Sequence, residues 1–217
     1  MAKKKVSYAW ESFMENFFER LSYMQWHDGI NPDVVLGLNE EEQRAAEDLL
    51  IESVERDDMW PTRGLAALKS KKAIPVLKKK VENSQGIIRL RNAFALEMIQ
   101  QEGKYLPVII EELKNNPSHY DRLEAAMNLR HFPSKQAVQA LYEGMRDEEY
   151  LVRYHSSESL LKIYGLVPDI VQYDEIFSLI VTKTKEGKNT EEEYAKAIKL
   201  LKEKFKNKTF ESYTNKE

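Results

Sequence analysis

The chain contains one short pattern twice, as "YDRLEAAMNL" at residues 120–129 and as "LVRYHSSESL" at residues 151–160. In both stretches an arginine is followed by small residues three and four places later and by a leucine seven places later. The two arginines, Arg122 and Arg153, are 31 residues apart. A pattern that recurs at such an interval predicts a protein built from repeated structural units.

Earlier copies extend this repeat toward the N-terminus. Arg89 opens "RLRNAFAL" 33 residues before Arg122, and residues 61–68, "PTRGLAAL", are a weaker copy that has lost the arginine. Each of these copies precedes a second recurring segment. These segments are "KKAIPVL" (71–77), "GKYLPVI" (103–109) and "SKQAVQAL" (134–141). Two features that share one period indicate that the repeat is structural.

Each repeat is predicted to form two α-helices. Leu123, Ala126 and Met127 have the i, i+3, i+4 spacing of one apolar helix face. Ser118 and Ser134 precede the two helices of this repeat, where a serine side chain can cap the first turn. Glycine and proline are few, and no strand-like alternation is sustained, which predicts an all-α fold. Because one helix pair cannot bury its apolar face alone, the pairs are expected to stack.

The last copy resembles a known repeat. The stretch "DEEYLVRYHSSESLLKIYG" at residues 147–165 is similar to a HEAT repeat of the bacterial type first described in phycobiliprotein lyases. The resemblance covers roughly residues 57–166 and implies a right-handed α-solenoid of HEAT-like helix pairs. It implies little about activity, because this fold hosts lyases, adaptors, inhibitors and DNA glycosylases. The matching residues are Asp147, Val152, Arg153, Ser156, Ser157 and Leu160.

The recurring arginines, Arg89, Arg122 and Arg153, are predicted to be structural. We expect each guanidinium group to bond to backbone carbonyls or to an aspartate of the adjacent repeat. The small residues that follow each arginine would let neighbouring helices approach closely. The alternative is a ladder of arginine side chains that binds a ligand.

The flanks of the repeats divide the chain into three predicted parts. Residues 1–38 are predicted to form an N-terminal capping helix and loop, and residues 39–166 the HEAT-like repeats. Residues 167–217 are predicted to form C-terminal completing and capping helices with a frayed tail. Asn39 and Glu42 predict a capping box at the start of the second part. An aromatic face in the first part suggests a lid on the open end of the repeats or, alternatively, a binding groove.

Composition and charge narrow the function classes. Apolar residues make up 42% of the chain and charged residues 32%, and a formal net charge of −3 does not indicate a nucleic-acid partner. Cysteine is absent, which excludes disulfides, thiolate metal sites and cysteine nucleophiles. Glu11, Glu15 and Glu19 interrupt the N-terminal segment, so it predicts neither a signal peptide nor a membrane span. The expectation is a cytoplasmic bacterial protein, monomeric and without a membrane partner.

The sequence contains no motif of a common catalytic or cofactor site. It has no phosphate-binding loop, no G-x-G-x-x-G, no G-x-S-x-G and no H-E-x-x-H. None of its four histidines is followed by glutamate, a pairing that recurs in di-iron enzymes of this repeat class. We therefore expect no enzymatic activity, no catalytic residues, no metal and no cofactor. Trp10, Trp26 and Trp60 all precede the clear repeats, which disfavours the DNA glycosylase type of HEAT-like protein.

The charges of the second helices suggest a binding surface. Lysines crowd the first clear repeat, whereas acidic residues occupy the equivalent stretches of the next two. If these helices line the concave face, its potential changes from positive to negative along the solenoid. A solvated face with no partner is the alternative. The candidate partner-binding residues are Lys78, Lys79, Glu111, Glu112, Glu143 and Arg146.

These features predict a non-enzymatic scaffold that binds another protein or peptide along its concave face. An adaptor and an inhibitor of the immunity-protein kind both fit this class. The second hypothesis is a nucleic-acid-binding HEAT-like protein of the DNA glycosylase kind. The third is a lyase or chaperone that hands a chromophore to a carrier protein, which the absence of cysteine does not support.

Overall fold

The computed structural model describes residues 7–19, 29–58, 60–181 and 190–214. All regular elements in these ranges are helical, which confirms the all-α fold class. None of the helices within these ranges has the length and apolar character to cross a bilayer. The chain divides into two compact units, Met1–Gln100 and Gln101–Glu217. Trp26 lies outside the described residues.

The first unit begins with an aromatic helix and continues as helix pairs. Asn39 and Glu42 form the predicted capping box of its second helix: the Asn39 side chain accepts from the Glu42 amide at 3.0 Å, and the Asn39 amide donates to the Glu42 carboxylate at 3.3 Å. The elements are α1 (Tyr8–Phe17), a short 3-10 helix (Pro32–Gly37), α2 (Glu40–Glu55), α3 (Pro61–Ala67), α4 (Ile74–Asn83) and α5 (Gly86–Gln100).

Helix α1 packs closely against α3. Phe13 is fully buried, and its ring centroid lies 5.3 Å from those of both Trp10 and Phe17. A Cβ atom added at Gly64 of α3 would lie 2.8 Å from Phe17 Cζ, so only glycine permits this approach. Helix α3 in turn packs against α2 and α5. The aromatic face of α1 therefore covers apolar surface within its own unit, and its role as a lid stays a prediction.

The second unit contains the two clearest copies of the sequence repeat. Ser118 and Ser134 cap their helices as predicted, because each hydroxyl oxygen accepts a hydrogen bond from the amide three residues later, at 3.4 Å and 3.1 Å. The elements are α6 (Leu106–Asn115), α7 (His119–Leu129), α8 (Lys135–Gly144), α9 (Tyr150–Ile163), a 3-10 helix (Ile170–Gln172), α10 (Asp174–Val181) and α11 (Thr190–Phe205).

The helices of the second unit form two rows. In one row α7, α9 and α10 pack side by side, and in the other α6 packs beside α8. The small residues of the repeat lie where the rows meet: Ser156 and Ser157 are fully buried, and a Cβ atom added at Gly144 would lie 3.3 Å from Ser156 Cβ. Small side chains at these positions are therefore what lets α8 approach α9.

The C-terminal segment folds back onto the second unit. Phe205, the last residue of α11, stacks on Tyr164 with 4.1 Å between ring centroids. Further on, the Tyr213 amide donates to the Pro133 carbonyl at 3.1 Å, and its ring lies 5.2 Å from that of Phe132. Contacts thus hold the chain through the part that the sequence predicts as a frayed tail, and residues 215–217 lie outside the description.

Two of the repeated arginines make equivalent contacts in the second unit. Arg122 Nη1 donates to the carbonyl of Asn116, six residues earlier, at 2.9 Å. Arg153 Nη1 donates to the carbonyl of Asp147, also six residues earlier, at 2.7 Å. Both side chains are buried, with Arg122 7% and Arg153 2% exposed. Each arginine therefore closes the turn that precedes its own helix.

The same arginines also reach forward along the chain. Arg122 donates to both carboxylate oxygens of Asp147, from Nε at 2.7 Å and from Nη2 at 2.9 Å. Arg153 Nε donates to the carbonyl of Ile180 in α10 at 2.8 Å. These are the partners expected for structural arginines, a carbonyl and an aspartate of the next repeat. Arg89, in the first unit, is half-buried on α5, and its structural role stays a prediction.

We predict that Arg122→Ala lowers the free energy of unfolding by about 1–3 kcal/mol, because it removes the hydrogen bond to the buried Asn116 carbonyl and both arginine hydrogen bonds to the Asp147 carboxylate. Urea denaturation followed by circular dichroism measures this change. Arg44→Ala is the matched control, since Arg44 is exposed and its ion-pair partner, Glu40, is exposed too. Equal urea midpoints for Arg122→Ala and the wild type would contradict the structural role.

Candidate functional site

A shallow groove runs between α6 and α8 in the second unit, with a volume of about 600 Å³. Its floor is carbon-rich, formed by the half-buried Ile110 and the buried Ala140. Charged and amide side chains stand around the floor. The lining residues are Pro107, Ile110, Glu111, Lys114, Asn115, Lys135, Gln136, Gln139 and Ala140.

The position of the groove follows from helix periodicity. In α6, Ile109 and Leu113 are buried and turn toward the core. Ile110 and Lys114 each follow one of them by one place, which turns them about 100° around the helix axis into the groove. The apolar face of α6 therefore extends beyond the buried Ile109 and Leu113, and Ile110 carries it into the groove.

An ion pair links the two walls of the groove. Lys114 Nζ of α6 lies 2.6 Å from Glu143 Oε2 of α8, and Gln139 Nε2 donates to Glu143 Oε1 at 3.0 Å. The hydrogen bonds from Lys114 and Gln139 lower the pKa of Glu143. The Glu143 carboxylate is therefore ionised, and the Lys114 ammonium group compensates its charge. This ion pair reduces the attraction that Glu143 could exert on a cationic partner.

The candidate residues of the second unit occupy three different environments. Glu111 is exposed and lines the groove, and Glu143 stands at its edge. Glu112 is only 6% exposed, and its carboxylate accepts a hydrogen bond from Asn116 Nδ2 at 2.7 Å, so it faces the interior. Arg146 is exposed but lies beyond the groove, where it forms an ion pair with Glu191 of α11.

The candidate lysines of the first unit lie at a separate hollow of about 640 Å³. Lys79 is exposed and lines this hollow, whereas Lys78 is half-buried and does not. The neighbouring Lys80 is neutralised, with its Nζ 2.6 Å from Asp57 Oδ1 and 2.9 Å from the Glu55 carbonyl. The lysine-rich stretch therefore carries less uncompensated positive charge than its number of lysines suggests.

A second cluster of titratable groups lies on α7 and α9, away from the groove. His155 Nδ1 is 3.2 Å from Glu158 Oε2, and Arg130 Nε donates to Ser159 Oγ at 3.1 Å. Burial lowers the pKa of His155 and of Arg130. Burial, with the nearby Glu158 carboxylate, raises the pKa of Tyr154 to about 12. These groups mainly contact one another, so they form an internal polar cluster.

The described residues contain no group of three or more histidine, cysteine, aspartate or glutamate side chains that could hold a metal ion. The groove is lined by lysine, glutamate and amide side chains without a histidine.

Comparison with known proteins agrees with the helical repeat. Residues 106–172 match the family model of HEAT repeats, a segment that includes both walls of the groove. No curated protein and no solved structure matches the chain. HEAT repeats are commonly protein-interaction scaffolds. The phycobiliprotein-lyase-like subtype stays a prediction.

The polar cluster predicts a pH dependence of stability. Because burial holds the pKa of His155 below its ordinary value of 6.5, the unfolded chain takes up this proton first as the pH falls. The stability contribution of the neutral ring is thus complete above about pH 6.5 and is lost progressively at lower pH. His155→Gln should flatten the decline in unfolding free energy between about pH 7 and pH 5.

Urea denaturation at a series of pH values measures this slope for the wild type and the variant. Glu158, Arg130 and Tyr154 face the ring and are kept in both proteins. His131→Gln, at an exposed position, controls for the substitution itself. If His155→Gln and the wild type show the same dependence of unfolding free energy on pH, the proton is taken up by another group.

Proposed function

We propose that this chain is a non-enzymatic protein-binding scaffold, acting as an adaptor or as an inhibitor of the immunity-protein kind. The groove between α6 and α8 holds a segment of the partner protein. The observation that carries the proposal is an apolar floor, formed by the half-buried Ile110 and the buried Ala140, between two helices of the segment that matches HEAT repeats. The expected cytoplasmic location and monomeric state belong to the same proposal.

The groove has the anatomy of a protein interface. Such interfaces have an apolar centre that loses its water on binding and a polar rim that stays hydrated. Ile110 and Pro107 supply the centre, while Glu111, Lys135 and Gln139 supply the rim. Rim charges act mostly on the rate of association and on specificity. The partner is therefore expected to place an apolar side chain over Ile110.

The other candidate residues have graded roles in this proposal. Glu111 contacts the partner directly, and Glu143 acts with Lys114 as a fixed edge of the groove. Lys79 offers a further contact in the first unit, at its own hollow. Glu112 supports the site from inside, through its hydrogen bond with Asn116.

We predict that Ile110→Glu weakens capture of the partner at least about tenfold, because it places a charge in the apolar centre of the interface. The wild type and the variant are used as bait in extract of the native host, and captured proteins are quantified by mass spectrometry. Glu111→Arg, at an exposed position, tests the rim of the same groove without altering the floor.

The control is Val167→Glu, which adds the same charge at an exposed apolar residue outside the groove. Circular dichroism melts establish that all variants are folded. The proposal predicts a discrete set of proteins that is retained by Val167→Glu and lost by Ile110→Glu. If Ile110→Glu and Glu111→Arg capture the same proteins as the wild type, the groove is not the binding site.

The nucleic-acid alternative has its own test. We expect no binding of duplex DNA tighter than about 1 µM at physiological salt, since net negative charge disfavours the phosphate backbone. Electrophoretic mobility shifts measure this for the wild type and for the Lys78→Glu, Lys79→Glu double variant. A submicromolar affinity that this double variant abolishes would replace the protein-binding proposal with the nucleic-acid one.

A further inference from the structure

A second hollow, of about 470 Å³, lies between α8 and α11 in the second unit and is rich in positive charge. Lys199, Lys202 and Lys206 are three and four residues apart, so they lie on one side of α11 and its end. Arg146, at the end of α8, faces them across the hollow. Four cations therefore share a small surface with one lining carboxylate, Glu203.

Much of this charge has no acidic partner within the described residues. Among the residues that the structure describes, no carboxylate lies within ion-pair distance of Lys199 or Lys206. Lys202 Nζ lies 4.8 Å from the centre of the Tyr142 ring, an aromatic contact that leaves its charge in place. Arg146 alone has an acidic partner, the exposed Glu191.

The helix dipole does not account for this cluster. Lysines in the last turn of a helix are favoured by the partial negative charge of its free carbonyl groups. That explanation covers Lys202 and Lys204, which lie in the last turn of α11. It does not cover Lys199, which lies earlier in the helix, or Arg146, which lies in the turn after α8.

We propose that this hollow, the basic cleft, binds a short acidic segment of a partner protein. Lys199 and Lys206 are about 10 Å apart along α11, a distance that about three residues of an extended chain span. A run of aspartate or glutamate residues can therefore meet both lysines at once. Ile198 and Ala195 give the cleft an apolar floor for the segment's carbon atoms.

A peptide fits the cleft better than a nucleic acid. Proteins that bind single strands stack the bases on accessible aromatic rings, and no aromatic residue lines the cleft. The Tyr142 ring beside it is covered by Lys202.

The basic cleft adjoins the groove proposed above, and this inference rests on that proposal for its biological partner. Gln139 and Glu143 are four residues apart on one face of α8, and Arg146 lies in the turn that follows this helix. Gln139 belongs to the groove and Arg146 to the basic cleft. One partner could therefore place an apolar residue over Ile110 and an acidic run beside Arg146.

The test uses the full chain and a fluorescein-labelled octapeptide of alternating glutamate and alanine, with a glutamine version as the neutral probe. Fluorescence anisotropy at about 50 mM and about 200 mM salt measures both affinities. We expect the glutamate peptide to bind at least about tenfold more tightly than the glutamine peptide at low salt, and this preference to shrink at high salt.

The decisive variant is Lys199→Glu with Lys206→Glu, which should lower the affinity for the glutamate peptide at least about tenfold. Lys71→Glu with Lys162→Glu changes the net charge equally at exposed positions outside the cleft and should leave the affinity within about twofold. If the decisive variant proves unfolded by circular dichroism, Lys199→Ala with Lys206→Ala makes the same comparison.

Three results would overturn the proposal. The first is an absence of saturable binding of the glutamate peptide, and the second is a loss of affinity in the control pair as large as that in the decisive variant. The third result is a single-stranded oligonucleotide that binds more tightly than the peptide and whose binding the decisive variant abolishes. Ile110→Glu separates this inference from the function it rests on. That variant should still bind the glutamate peptide, so loss of peptide binding and loss of partner capture are independent outcomes.

Discussion

The second unit depends on the way Asp147 joins two buried arginines. Its carboxylate receives Arg122 of α7, and its backbone carbonyl receives Arg153 of α9. Arg153 then continues the chain of contacts to the Ile180 carbonyl of α10. A buried guanidinium group is stable only when its donors are used and its charge is compensated. Arg122 and Arg153 therefore each need acceptors at defined places before and after their helix. This requirement explains why the two arginines recur at an interval of 31 residues in the sequence.

This arrangement also sets the positions of the functional surface. Because α7 and α9 are held by the arginines and by the buried Ser156, the neighbouring helices α6 and α8 can turn only one face inward. Their remaining faces stay accessible, and those faces carry the groove and one wall of the basic cleft. Gln139 is exposed for the same reason that Leu141 is buried, since both positions follow from one helix phase.

How far the sequence predicts the molecule depends on the range of each interaction. The caps of Ser118 and Ser134 and the capping box of Asn39 are local, and the sequence pattern predicts them correctly. Glu112 shows what charge composition alone misses: it follows the exposed Glu111, but helix phase places it on the buried face of Ile109 and Leu113, where it accepts a hydrogen bond from Asn116. The basic cleft could not be predicted, because Arg146 meets Lys199 only after α11 has packed. Charge composition alone does not show which lysines, such as Lys80, are already neutralised.

Burial separates the charges that build the fold from those that can meet a partner. Arg153, Arg130 and Glu158 lie among the packed helices, where their contacts are internal and replacement leaves buried groups without partners. Glu111 and Lys199 are exposed and Ile110 is half-buried in a surface groove, so substitutions at these positions disturb the core less. The accessible set can therefore change without disturbing the arginine network. A scaffold organised in this way can acquire a new partner through surface substitutions on α6, α8 and α11 while Asp147 and its two arginines keep the helices in place.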